Sequence, residues 1–151
     1  MKVAIVHDYL NQAGGAERVV AVLHRMFPEA PIFTTLFDPA VVGPPLAKAD
    51  VRVSWMRRLP NWRRNFRSFM PLYPLAVRSF DLSGYDVVIT STGSGRPLVT
   101  AELARVATAA RGGRPLLLVD IAVPRDVASE VREVPGVVVL DIDDLGDWAG
   151  R

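Results

Sequence analysis

The sequence predicts one α/β domain, a doubly wound Rossmann-like parallel sheet of about six strands in the order 3-2-1-4-5-6. Three observations carry that expectation. Short β-branched runs alternate with longer windows of helical apolar spacing, the pattern of βαβ units. The strand candidates are near-continuously apolar, as expected of strands covered on both faces. The chain has 151 residues, 50% of them hydrophobic, which suffices for one core.

The elements follow in order. Residues 2–6 (KVAIV) form the first strand and 7–14 a loop. Residues 15–27 place Val19, Val20, Val22, Leu23 and Met26 at helical spacing, and Pro28 stops the helix. Residues 32–36 are the second strand. Asp38 and Pro39 open a short helix to about residue 46, across Gly43, Pro44 and Pro45. Residues 51–55 give a third strand. Pro60, Pro71 and Pro74 break the next stretch into helical pieces at 61–70 and 74–80. The turn Ser83-Gly84 leads to the fourth strand, 85–90, and Thr100 caps a helix over 100–110 that Gly112 and Gly113 end. Residues 116–119 form the fifth strand, 126–134 a short helix, and 137–140 the sixth strand, followed by an acidic tail. Right-handed crossovers fix the strand order.

Composition excludes several classes. No uncharged stretch approaches the roughly 20 residues of a membrane span. The first eight residues lack the apolar run and cleavage site of a signal peptide. There is no cysteine, hence no disulfide or thiolate chemistry, and only two histidines, His7 and His24, so no metal site is expected. The expected location is the cytoplasm, with peripheral contact at the inner membrane face as an extension.

Net charge is +2, but the distribution is polarised. Between Asp50 and Asp81 there is no acid and there are seven arginines; from Gly112 onward eight acids face four arginines. Arginine makes up 16 of the 18 basic residues, a bias that nucleotide composition explains as well as function does.

Ligands of such sheets bind outside the carboxyl ends of the strands, where the strand order reverses between strands 1 and 4. Two loops meet there. In the first, Gly14 and Gly15 let backbone amides approach an anion at a helix N-terminus. The second, Ser91-Thr92-Gly93-Ser94-Gly95, is small and hydroxyl-rich. Together they suggest a crevice for a nucleotide or another anionic small molecule, while ordinary strand-to-helix turns would use the same residues. Neither is a G-x-G-x-x-G fingerprint or a P-loop.

Residues 55–74 interleave Arg57, Arg58, Arg63, Arg64 and Arg67 with aromatics including Trp62. They read either as a helix burying Trp62, Phe66, Phe69 and Met70, or as a surface for an anionic membrane or acceptor; nucleic acid is the less favoured partner. His7 stands at the crevice edge as a ligand-facing or a structural residue, and Asp120 ends a strand there. Asp141, Asp143 and Asp144 read as a solvated acidic end before a cation site. No nucleophile, base and orienter stand at a recognisable spacing.

Two resemblances extend this reading. Residues 1 to about 92, with MKVAIVHDYLNQAGGAERVV, FPEAPIFTTLFDP and FMPLYPLAVRSFDLSGYDVVITST, resemble the N-terminal, acceptor-side domain of family-four retaining glycosyltransferases. That resemblance implies that Gly14 and Gly15 lie near a donor phosphate. It also implies that Arg57, Arg58, Trp62, Arg63 and Arg64 face an acceptor or membrane. From about residue 86, VVITSTGSGRPLVTAELARVATAARGGRPLLLVDIAVPRDV and PGVVVLDIDDL are similar to the latter half of the NADPH-binding domain of glutamyl-tRNA reductase, an enzyme of tetrapyrrole synthesis. That resemblance places Ser91, Thr92 and Gly93 near the cofactor, with Asp120, Pro124 and Arg125 at the active-site edge.

The two meet in YDVVITST, so the chain reads as one domain joined from a glycosyltransferase-like half, 1–90, and a reductase-like half, 86–151. Neither half carries its family's remaining domains. The expectation is a non-catalytic domain with at most weak NADP or nucleotide-sugar binding, roughly millimolar and on the order of 4 kcal/mol. The alternatives are a glycosyltransferase part that needs a separate donor domain, and an NADP-binding fragment of a glutamyl-tRNA reductase. Self-association through exposed former interfaces is a further expectation.

Overall fold

The structure, a computed structural model, describes residues 1–93 and 95–149, with side chains to residue 147; Ser94 of the hydroxyl-rich loop and the last two residues of the acidic tail lie outside them. Six parallel strands form one sheet in the order β3-β2-β1-β4-β5-β6. They are β1 (Val3–Leu10), β2 (Ile32–Phe37), β3 (Val51–Val53), β4 (Val87–Thr90), β5 (Leu116–Asp120) and β6 (Val137–Asp141). The helices are α1 (Gly15–Met26), α2 (Pro44–Ala47), α3 (Trp62–Asn65), α4 (Tyr73–Arg78), α5 (Ala101–Ala110) and α6 (Ile142–Ala149). The predicted topology is the observed one.

Alternation along the strands divides the core between the two faces. Ala4, Val6, Phe33, Val88, Leu116 and Leu118 pack under α5 and a 3-10 turn at Ser129–Glu133. Ile5 and Ile32 point the other way, against Val20 of α1 and Leu46 of α2. A third cluster, Leu36, Met56, Tyr73 and Ala76, sits at the carboxyl end of β2, and Trp62, Phe66 and Phe69 pack on it half-buried.

Several boundaries moved, each for a local reason. β1 continues to Leu10 because β2 runs beside it to its end and pairs Tyr9 with Leu36 and Leu10 with Phe37, so His7 and Asp8 are strand residues and not loop. The helix expected from Asp38 shrinks to α2, because Gly43 takes φ +80° and Pro44 can only start a helix. β3 ends at Val53; Ser54 then caps a 3-10 turn, Trp55–Arg58, its Oγ accepting the Met56 N–H at 3.1 Å. The helix expected over 61–70 is α3 followed by a 3-10 segment, Phe66–Leu72, that contains Pro71. Residues 126–128 are extended, since Val99 and Val127 bridge there, and the expected helix is reduced to the 3-10 turn. The acidic tail forms α6: Asp141 Oδ1 accepts the Asp143 and Asp144 amides at 3.0 and 3.1 Å, while Asp144 returns a carboxylate to the Asp141 amide.

Candidate functional site

β1 overshoots β4. Val6 pairs with Thr90, where β4 ends, so residues 7–10 of β1 form one wall of a crevice whose other wall is the loop after β4. This is the reversal point of the strand order, where doubly wound sheets bind their ligands.

The walls are tied together by buried polar side chains. His7, 1% exposed, donates Nδ1–H to the Ser91 carbonyl, at 2.5 Å, with Ser91 Oγ 3.3 Å away. The carbonyl can only accept, which places the proton on Nδ1. The Nε2 atom has no hydrogen-bond partner among the described residues and lies 3.3 Å from Asp8 Oδ1. Asp8 accepts the Tyr9 amide on Oδ1, 2.9 Å, and the Gly93 amide on Oδ2, 3.1 Å. Ser91 and Gly93 therefore stand at the crevice, gripped by His7 and Asp8 of the first strand.

Gly14 and Gly15 stand at the start of α1 as expected, but the anion position there is already taken. The Gly14 amide donates to Glu17 Oε2 at 2.9 Å, closing the first turn of α1. A Cβ at Gly14 would lie 2.8 Å from that oxygen, so the close approach requires glycine. Glu17 is 4% exposed and its Oε1 has no hydrogen-bond partner among the described residues. Gly15, by contrast, borders open space.

Thr92 is pinned from behind. Its N–H donates to Asp126 Oδ2 at 2.9 Å and its hydroxyl to Asp126 Oδ1. Burial raises the Asp126 carboxyl to about 6, and the charges of Asp120 and Asp8 add to that, against the lowering effect of the two Thr92 bonds. Asp120 was expected to face the cofactor edge. It faces inward instead, accepting the Ala122, Asp126 and Val127 amides and the Thr90 hydroxyl within 2.8–3.2 Å. It is a knot that holds the β5 loop. Arg125, also expected at that edge, pairs with Asp141 and Asp143, and Arg132 binds Asp141 and Asp144 at 2.6 and 2.7 Å. Three carboxylates of the acidic end are thus paired with two of the protein's own arginines.

On the other flank Arg57, Arg58, Arg63 and Arg64 are exposed. Arg63 binds Asp38 at 2.7 Å and stacks over Trp62, 4.8 Å from the ring centroid. The segment therefore both buries aromatics and presents arginines to solvent. Tyr9 joins it to the crevice, its ring 5.1 Å from Phe66 and 5.9 Å from Tyr73.

Sequence reasoning missed Glu17, Asp8, Asp126 and Arg111. The spacing of Glu17 three residues after Gly14 was a readable signal. The partnership of Asp126 with Thr92, 34 residues away, had none.

Among the described residues no group of three or more His, Cys, Asp or Glu side chains could hold a metal ion, and no helix is long and apolar enough to cross a membrane.

A six-stranded parallel sheet of this order with its crevice between β1 and β4 defines an α/β domain of the Rossmann-like class. Residues 70–147 match the shikimate / quinate 5-dehydrogenase family model, more than half of the chain, and the chain belongs to that family. Glutamyl-tRNA reductase of Thiobacillus denitrificans is 31% identical over 144 residues, covering 90% of this chain and 35% of the relative. That of Bacillus pumilus is 48% identical over 64 residues, 42% of this chain and 14% of the relative. The solved structure of glutamyl-tRNA reductase from Methanopyrus kandleri superposes with a TM-score of 0.57 at 25% identity, over 95% of this chain and 31% of that one. The chain thus spans about a third or less of the proteins it matches.

The Thiobacillus match crosses the junction near residue 90, and these relatives are reductases throughout. The reductase-like resemblance is supported. The glycosyltransferase resemblance of residues 1 to about 92, and with it the joining of two families, receives no support from these comparisons.

Proposed function

We propose that the chain is the NADP-binding domain of a glutamyl-tRNA-reductase-type enzyme, and that it presents the cofactor to catalytic groups carried elsewhere. The match across 90% of the chain to such a reductase is the observation that carries this reading, and the β1/β4 crevice gives it a location. This chain has no cysteine, so a thiol nucleophile would not come from it.

The crevice suits a dinucleotide in position but only partly in charge. Gly15, with open space beside it, and the Ser91 to Gly93 loop are the residues that would border the cofactor. The amides of Gly14 and Gly93, the groups best placed for a phosphate, are held by Glu17 and Asp8. A pyrophosphate would have to displace a carboxylate of like charge. Binding by this chain is therefore weak, and the cofactor, once bound, supplies hydride transfer chemistry. The chain's own part is to fix the Ser91 to Gly93 loop in place through His7–Ser91, Asp8–Gly93 and Asp126–Thr92.

Titration of the ¹⁵N-labelled chain with NADP tests this. Shifts confined to the amides of Gly14, Gly15 and residues 91–93 are expected, with UDP-sugars giving smaller ones. Equal or larger shifts with UDP-sugars, or none with NADP at millimolar concentration, would remove the reading.

A further inference from the structure

Behind the crevice, between α5 and the sheet, lies a cavity of about 230 Å³. Protein interiors hold few voids larger than a water molecule, and an apolar cavity of about 150 Å³ is enough to take up a benzene. Val6, Val88 and Leu118 line it from the sheet, and Leu103, Ala104 and Ala107 from α5. Val106 lines it while 63% exposed, so its edge reaches solvent.

One end is different. Thr90, Thr92 and Asp126 close the cavity at the carboxyl ends of the strands, away from Arg78, Asp81, Ser83 and Arg111, which line it as well. The hydroxyl of Thr90 donates to Asp120 and that of Thr92 to Asp126, so their donors are turned into the protein. Each Asp126 oxygen accepts one bond from Thr92, which leaves lone pairs on both. Of the three buried aspartates of this region Asp126 lines the cavity, and Asp8 and Asp120 act on it only through their charge. An entirely apolar guest would desolvate this end without compensation, and an anion would be repelled.

We propose that this cavity binds a primary amine with an apolar body of about eight carbons, its ammonium on the Asp126 carboxylate and its body against α5. A cation supplies both the donors and the charge that this end lacks, while the apolar walls accept the rest. The site shares Thr92 with the crevice but lies behind it, and the proposal does not rest on the dinucleotide reading.

Methyl NMR of the full chain at pH 7, titrated with 2-phenylethylamine and with 2-phenylethanol, tests the proposal. Saturable shifts at Leu98, Leu103 and Leu118 are expected, at least tenfold tighter for the amine than for the alcohol. Ala107→Phe fills the cavity from a half-buried helix position and should abolish the shifts while leaving the circular dichroism spectrum unchanged. Asp126→Asn should bring the amine down to the affinity of the alcohol. Equal affinity of the wild type for amine and alcohol, no saturable shift with the amine, or undiminished binding to a folded Ala107→Phe variant would each overturn it; the first two need no variant to fold.

Discussion

Glu17 holds the backbone amide of Gly14 at 2.9 Å, so the helix that should greet an anion begins with one of the protein's own. The dipole at this terminus is already compensated.

Glu17→Gln should therefore open the site without harming the helix. Glutamine closes the same reciprocal cap, so stability should change by less than about 0.5 kcal/mol. Removing the charge should raise NADP affinity roughly five- to tenfold, about 1 kcal/mol. Parallel thermal melts and NADP titrations of the two proteins check both halves.

The Asp126 carboxyl, raised by burial to about 6, makes stability depend on pH in the less usual direction. Its folded value lies above its unfolded one, so the protonated form is favoured by folding. The contribution is complete below about pH 4, the unfolded value, and is lost as pH rises through about 6. It amounts to roughly 3 kcal/mol. Denaturant melts of wild type and Asp126→Asn at pH 5 and pH 7.5 should diverge: wild type loses stability over this range relative to the variant. Parallel pH profiles would show that the carboxyl is not shifted.

Asp120 and Arg125 stand five residues apart and should respond very differently. Asp120→Ala orphans three backbone amides that it now satisfies, and should cost about 3–5 kcal/mol. Arg125→Ala removes a side chain that is 47% exposed at an ion pair, and should cost no more than about 1 kcal/mol. Urea midpoints of the two variants give the comparison. A larger loss at Arg125 would reverse the roles assigned here.

Arg111 follows α5 with a side chain that is 0% exposed, and it binds the carbonyls of Ser83, Tyr85, Arg114 and Pro115 as well as Asp86. It ties the turn before β4 to the turn before β5. Arg111→Met should cost about 3 kcal/mol, a fall of roughly 6–12 °C in Tm. The exposed Arg114, which shares Asp86, should lose far less on Arg114→Ala.

Strand identity was legible because it depends on a short-range signal. Runs such as VVIT and LLLV are apolar on both sides, and only a buried parallel strand tolerates that. Helix boundaries were less legible. α6 formed in a stretch whose eight-residue composition looked like a solvated tail, because Asp141 and Asp144 cap each other. The Gly14 and Ser91 turns follow β1 and β4 as the sequence implied, but which side chains turn into the protein was not legible. Asp120 ends its strand, as a ligand-facing residue would, and turns inward.

Amino-acid order alone determined the fold class, the six strands and their order, since apolar period, proline stops and crossover handedness act within a few dozen residues. Only the tertiary structure decided what the crevice offers a ligand. Asp8 meets Gly93 across 85 residues and Asp126 meets Thr92 across 34, and these contacts turn backbone donors away from an incoming anion. The cavity beneath them has the same origin. It is bounded by strands β1, β4 and β5 and by α5, and no local pattern records how closely separate elements pack.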